Sequence, residues 1–172
     1  IHNHIGWRML PFASLFSVPI VTTLHGPLSV PYYDVVFSDT LIHTLPFVSI
    51  SLNQRLGYPS LNFVSNVYNG IDLDLFPYSD FHEGYLLFLA RFSPEKGARE
   101  AIEIAKKANK KLILAVKIDQ VDRAYFESCK DLIDGKQIVL VGEVGAAEKT
   151  KLLQHAEALL APIQWEEPFG LY

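Results

Sequence analysis

The sequence predicts an α/β fold with a parallel sheet and helices packed on its faces, on three observations. From residue 85 onward, short apolar runs alternate with helical patterns, the order that crossover-connected parallel strands require. Hydrophobic residues make up 49% of the 172 positions, enough for a real core and far from disordered composition. Two of the apolar runs end on polar residues, Arg91 after one and Glu166-Glu167 after another. In open α/β sheets the carboxyl ends of strands are where ligands bind.

The elements follow in order. Pro19–Leu24 reads as a short strand ending at His25-Gly26. Val35–Ser38 and Phe47–Ser51 read as strands, Asn53–Leu56 as the start of a helix, and Leu61–Val67 as a strand leading to the Asn69-Gly70 turn. Asp72, Asp74, Pro77 and Asp80 crowd a boundary region near residues 60–82. Tyr85–Arg91 is a strand. Ala98–Lys111 is a helix, with Ala98, Ala101, Ile102, Ala105 and Ala108 on one face. Leu112–Val116 is a strand, Asp122–Leu132 a helix, Gln137–Val141 a strand, Ala146–Ala156 a helix and Ala158–Ile163 a strand. The four strands within 85–163 should be parallel, with Arg91, Gly142 and Gln164 at one carboxyl edge.

Charge excludes some functions. A net charge of −4 lacks the basic face of nonspecific nucleic-acid binding, so no nucleic-acid partner is expected. Cys129 is the single cysteine, which rules out an intrachain disulfide and a cysteine-based metal site and favours a reducing, cytoplasmic location. The apolar run Met9–Leu24 is short for a membrane span and is interrupted by Pro11 and Pro19. Residues 1–60 hold only four charged side chains, Arg8, Asp34, Asp39 and Arg55. So few charges predict an exposed apolar face there, covered by a second copy, another polypeptide or further residues of a longer parent. The absence of an initiating methionine and the end after Tyr172 suggest an internal piece of that parent.

Several side chains could carry chemistry. Arg91 and Lys96 lie five apart across a strand end and a helix start, and a guanidinium fork, a mobile ammonium and a helix N-terminus suit phosphate. Two solvated surface cations would read the same way. Neither G-x-G-x-x-G after a strand nor G-x-x-x-x-G-K-[ST] is present. Glu167 is held extended by Pro168, and Gly170 permits close backbone approach of a ligand, although an ordinary exposed loop would look alike. His25 at a strand end can donate to a ligand oxygen or take a proton, or be a structural histidine. His2 and His4 would share a face of a strand, but without a third ligand no metal is expected. Lys106, Lys107, Lys110 and Lys111 suit a solvated helix C-terminus.

Four ordered motifs resemble one family. Leu89-Ala90-Arg91-Phe92-Ser93-Pro94-Glu95-Lys96-Gly97 resembles the "GR-x-x-x-x-KG" segment of retaining glycosyltransferases of family four, the nucleotide-sugar-dependent "glycosyl transferases group 1". Val67-Tyr68-Asn69-Gly70-Ile71-Asp72 with Phe76 is similar to that family's "x-NG-[VI]-D-x-x-x-F" signature. Pro162 through Leu171 is similar to "PS-x-x-E-P-FG-L", and Thr23-Leu24-His25-Gly26 to "T-x-HG", preceded by His2-Asn3-His4. Ala90 departs from the usual glycine, Trp165 and Glu166 from positions usually small or polar, and the second glutamate of the Glu-x7-Glu pair would lie beyond residue 172.

The resemblance implies a GT-B fold: residues 1–66 as the last part of an N-terminal, acceptor-side Rossmann-like domain, and 67–172 as the first part of a C-terminal, donor-binding one. It implies transfer of a sugar from a UDP-, GDP- or ADP-sugar to a hydroxyl of an unknown acceptor, with retention of configuration and no cofactor. Arg91 and Lys96 would hold the donor diphosphate. Glu167 would touch the donor sugar, and the backbone of Phe169, Gly170 and Leu171 its hydroxyls and phosphate. His25 would reach toward the reacting carbon. No Asp-x-Asp motif stands in a context suited to metal, so the cations would take a metal's task. Peripheral membrane contact of the parent is a further expectation. The alternatives are a non-catalytic nucleotide-sugar-binding fragment, a related sugar-nucleotide epimerase, or a phosphorylase.

Overall fold

The structure, a computed structural model, describes residues 1–171, and Tyr172 lies outside the described residues. Contacts divide the chain into two compact units, Ile1–Gly70 together with Glu166–Leu171, and Ile71–Trp165.

The first unit is built on strands β1 (His2–Asn3), β2 (Val21–Thr23), β3 (Phe47–Ser49) and β4 (Phe63–Asn66), with helices α1 (Tyr32–Val36) and α2 (Leu52–Arg55) between them. The strands pair in chain order, all parallel. The apolar run after β1 winds into a 3-10 helix, Gly6–Leu15, that contains Pro11. The strand expected over Val35–Ser38 is instead the end of α1 and the turn after it. Tyr33 and Phe37 sit four residues apart, which is helical spacing, and their rings stack at 4.8 Å within the core. That core gathers Leu10, Leu24, Leu28, Tyr33, Phe37, Ile42, Phe47 and Leu61. Outside it, Leu15 (77%), Val35 (77%) and Leu56 (75%) remain exposed.

The second unit begins with an extended stretch broken by a short 3-10 turn at Leu73–Leu75. It continues as β5 (Tyr85–Arg91), α3 (Ala98–Lys107), β6 (Lys111–Lys117), α4 (Arg123–Cys129), β7 (Ile138–Leu140), α5 (Ala146–His155) and β8 (Ala156–Leu159). The sheet order is β7-β6-β5-β8, with every neighbouring pair parallel, as the sequence predicts. Strand β5 buries both faces. Leu86 and Phe88 enter a core with α3, and Tyr85 and Leu87 enter one with Leu152 and Leu153 of α5. Ala98, Ala101, Ile102 and Ala105 of α3 are completely buried. The small alanines let the helix axis lie close to the sheet.

Boundaries shift where local backbone chemistry intervenes. Helix α3 ends at Lys107 rather than Lys111, because Asn109 takes a left-handed φ of 50° and Lys110 N–H donates to Ala105 O at 3.0 Å. Helix α4 is shorter than expected and is flanked by 3-10 turns, Gln120–Asp122 and Lys130–Leu132. Strand β8 starts two residues earlier and ends sooner than Ala158–Ile163. Its last bond to β5 is Leu160 N–H to Leu87 O at 2.8 Å. Pro162, which has no N–H to donate, then follows.

In this sheet the order reverses at β5, with β6 on one side and β8 on the other. Such reversal points in α/β sheets open a crevice at the strands' carboxyl ends. Gly97 sits there with φ +74°, and a Cβ on it would stand 1.9 Å from Pro162 O. Gly97→Ala should therefore destabilise the second unit by more than the ~1–2 kcal/mol of left-handed backbone alone. Urea unfolding of the variant measures this, and a loss below that range would mean the two loops separate freely.

Candidate functional site

Two loops meet at the carboxyl edge of the second unit's sheet. After β5, Pro94 O accepts from Gly97 N–H at 3.0 Å, closing a tight turn before α3. After β8, Gln164 N–H donates to Glu95 O at 2.9 Å, joining the two loops through their backbones.

Arg91, the last residue of β5, is held by two carboxylates. Its Nε lies 3.1 Å from Asp122 Oδ2, in ion-pair range though without hydrogen-bond alignment. Its Nη2 end is paired with Glu95. Asp122 is buried and Glu95 is partly exposed. Lys96 places Nζ 5.9 Å from the centre of the Trp165 ring, a cation–π contact across the two loops. Ser93 is fully buried and its hydroxyl has no hydrogen-bond partner among the described residues. At the start of α3 one backbone donor is already engaged, since Arg99 N–H donates to Tyr125 Oη at 3.1 Å. The end of β6 adds Lys117, paired with Asp119 at 2.9 Å. The Asp119 hydrogen bond and charge, with a smaller contribution from Glu143, push the Lys117 ammonium above the ordinary lysine value of 10.5. Motif spacing singles out Arg91 and Lys96 as candidates but carries no sign of the carboxylates that hold Arg91, Glu95 and Asp122.

The first unit has its own carboxyl edge, where histidines cluster. His4 Nδ1 and His25 Nε2 are 2.8 Å apart, and His2 Nε2 is 2.8 Å from Thr23 Oγ1. The His2 and His4 rings approach to 4.0 Å. A short N···N contact holds one proton between two rings, so the accepting ring must keep its lone pair. Buried Asn3 sets this turn. Its amide donates to Thr22 Oγ1 at 3.1 Å and Gly6 O at 3.0 Å, and its oxygen accepts from Ile5 N–H at 3.0 Å. Among the described residues, no group of three or more His, Cys, Asp or Glu side chains is arranged to hold a metal ion.

Gln54 fixes the backbone around His25 and has no signal in the sequence. Its buried amide donates to Leu24 O at 2.9 Å and Gly26 O at 2.8 Å, and its oxygen accepts from Ile50 N–H at 3.0 Å. Ser51 caps α2 by accepting from Gln54 N–H at 3.0 Å, and it donates to Pro168 O. The loop with Glu167, Phe169, Gly170 and Leu171 thus packs in the first unit. Phe169 lies against Tyr68 at 5.8 Å, and Asn53 Nδ2 donates to Glu166 Oε2 at 3.3 Å. A cavity of about 340 Å³ opens beside it, lined by Pro27, Ser29, Asn53, Gln54, Glu166 and Pro168 among others. Gly170 takes φ +76°, the left-handed backbone that favours glycine.

No protein-family model and no curated protein matches the chain. Solved structures do. The chain is similar to a sucrose-phosphate synthase from Thermosynechococcus elongatus, at a TM-score of 0.77 and 18% identity over 99% of this chain and 51% of that one. It is also similar to AviGT4, a glycosyltransferase involved in avilamycin A biosynthesis (TM-score 0.60, 22% identity, 94% of this chain and 53% of that one). A third is TarM (TM-score 0.68, 16% identity, 96% of this chain and 36% of that one). The chain spans about half the length of the first two. Its fold is that of part of a GT-B structure, with Rossmann-like α/β units. No helix among the described residues is long and apolar enough to cross a membrane.

The His25 imidazole is held below the ordinary histidine value of 6.5, first by burial and then by the charges of His4 and His2. Because the native value is the lower one, the unfolded chain binds more protons as pH falls from 6.5 toward the folded midpoint. Stability should drop across that window and level off below it. An NMR titration should place the His25 midpoint below 6.5. His4→Gln should raise it only partway, since burial is the larger cause. A His25 midpoint at or above 6.5 would contradict the geometry.

Proposed function

We propose that this chain carries the junction of a nucleotide-sugar-dependent glycosyltransferase of the retaining family four. In this reading residues 1–66 form the last part of the acceptor-side domain and residues 67–172 the first part of the donor domain. The observation that carries it is Arg91 at the strand-order reversal of the second sheet, followed by the turn that presents Lys96 and begins α3. The donor is a UDP-, GDP- or ADP-sugar, and the acceptor supplies a hydroxyl. No cofactor is used, and the parent works in the cytoplasm, the location that a single buried thiol favours.

The chemical problem is charge. As the sugar–phosphate bond breaks, the nucleoside diphosphate gains negative charge while the sugar becomes cation-like. Arg91 and Lys96 stabilise that anion from positions set before the reaction begins, so little reorganisation is needed as charge develops. Glu167 and the backbone of Phe169, Gly170 and Leu171 orient the donor sugar. His25, neutral at pH 7 because its titration is depressed, offers a hydrogen bond near the reacting carbon without adding a competing cation.

In the full-length parent, Arg91→Ala and Lys96→Ala should each weaken nucleoside diphosphate binding by about 1.5–3 kcal/mol, roughly ten- to a hundredfold. Calorimetry on folded variants checks this. Arg91→Lys serves as the companion variant, because it keeps a positive charge opposite buried Asp122. Unchanged affinity in all three would return both residues to the role of surface cations. Sugar transfer should require an acceptor. Nucleotide release at the same rate without one would favour an epimerase.

A further inference from the structure

We propose that Glu95 is an internal anion, occupying the end of Arg91 that a substrate's diphosphate takes and leaving it when the substrate arrives. The proposal rests on the donor-site reading above and adds to it a competitor supplied by the chain itself.

The two carboxylates on Arg91 differ in kind. Asp122 holds the Nε side and is 8% exposed, so removing its partner would leave a buried charge uncompensated. Glu95 holds the Nη2 end, and both its side chain (30%) and that of Arg91 (39%) reach solvent. An exposed pair of this sort contributes little and exchanges readily. An incoming anion therefore displaces Glu95 and leaves Asp122 in place, with the guanidinium still aimed by its buried partner.

Displacement needs no loop movement. The Glu95 carbonyl accepts from Gln164 N–H at 2.9 Å, and the Gly97 N–H is bound to Pro94 O at 3.0 Å. Gly97 is pressed against Pro162, so the backbone on either side of Glu95 is fixed. Only side-chain rotation remains, and rotation about a few bonds is fast compared with catalysis. The effect is selective. A ligand with one weak negative group gains on Arg91 only what it takes from Glu95, whereas a diphosphate brings several oxygens and reaches beyond that position.

The test is calorimetry of the full-length protein with pyrophosphate and with UDP, GDP and ADP. The variants are Glu95→Gln, Arg91→Lys, the double variant, and Glu143→Gln as a control for general charge at the same edge. Glu95→Gln should tighten pyrophosphate and the preferred nucleotide by about two- to fivefold, the worth of an exposed ion pair. Glu143→Gln should do less, and the gain should shrink in the Arg91→Lys background. Equal gains from Glu95→Gln and Glu143→Gln, or an undiminished gain without Arg91, would overturn the proposal. Tightened pyrophosphate with no nucleoside diphosphate bound more strongly than pyrophosphate would uphold the internal anion and remove the donor reading. Nucleotide binding weakened by Arg91→Lys but unmoved by Glu95→Gln would do the reverse.

Discussion

The carboxyl edge of the second unit depends on how closely the chain leaving β8 passes the chain leaving β5. Gly97 and Pro162 leave no room for a side chain between them, and Gln164 is bonded to the Glu95 carbonyl. The sheet order reverses at β5, the kind of position where α/β sheets bind ligands, and this crossing fixes the backbone there. Glycine is required at residue 97 for two separate reasons, a left-handed φ and the absence of a Cβ.

On that fixed backbone the charges are arranged by burial rather than by number. Cations and carboxylates are interspersed along the edge, so no simple positive field marks it. Arg91 is distinguished by having one buried partner and one that meets solvent. In the first unit the corresponding device is polar and neutral. Gln54 and Asn3 tie down the backbone on both sides of the histidine contact, and their buried amides are fully engaged. Both edges therefore present polar side chains on backbone fixed by hydrogen bonds.

Much of this was legible in the sequence where one physical signal dominated. Strand β5 has the predicted ends because an apolar run buried on both faces stops at a charged residue. The buried face of α3 was visible in its alanine spacing, while its end depended on Asn109 adopting a left-handed backbone, which spacing does not register. Val35–Ser38 misled because β-branched residues favour strands, whereas Tyr33 and Phe37 gained more by stacking one helical turn apart. Partners distant in sequence were illegible. Nothing in the residues around Asp122 announces that it lies against Arg91, and Gln54 reads as one polar residue in a short helix. Motif spacing singles out Arg91, Lys96, His25 and Glu167 as candidates, whereas the side chains that hold Arg91 and the His25 turn are visible only in the fold.

The proposed occupant of the end of β5 is a nucleoside diphosphate. The most direct measurement is a crystal structure of the full-length protein with its preferred nucleoside diphosphate bound. Phosphate oxygens are expected within hydrogen-bond distance of the Arg91 guanidinium, with Asp122 unmoved on Nε and the Glu95 carboxylate turned away. A nucleotide bound elsewhere, with Arg91 still paired to both carboxylates, would contradict it.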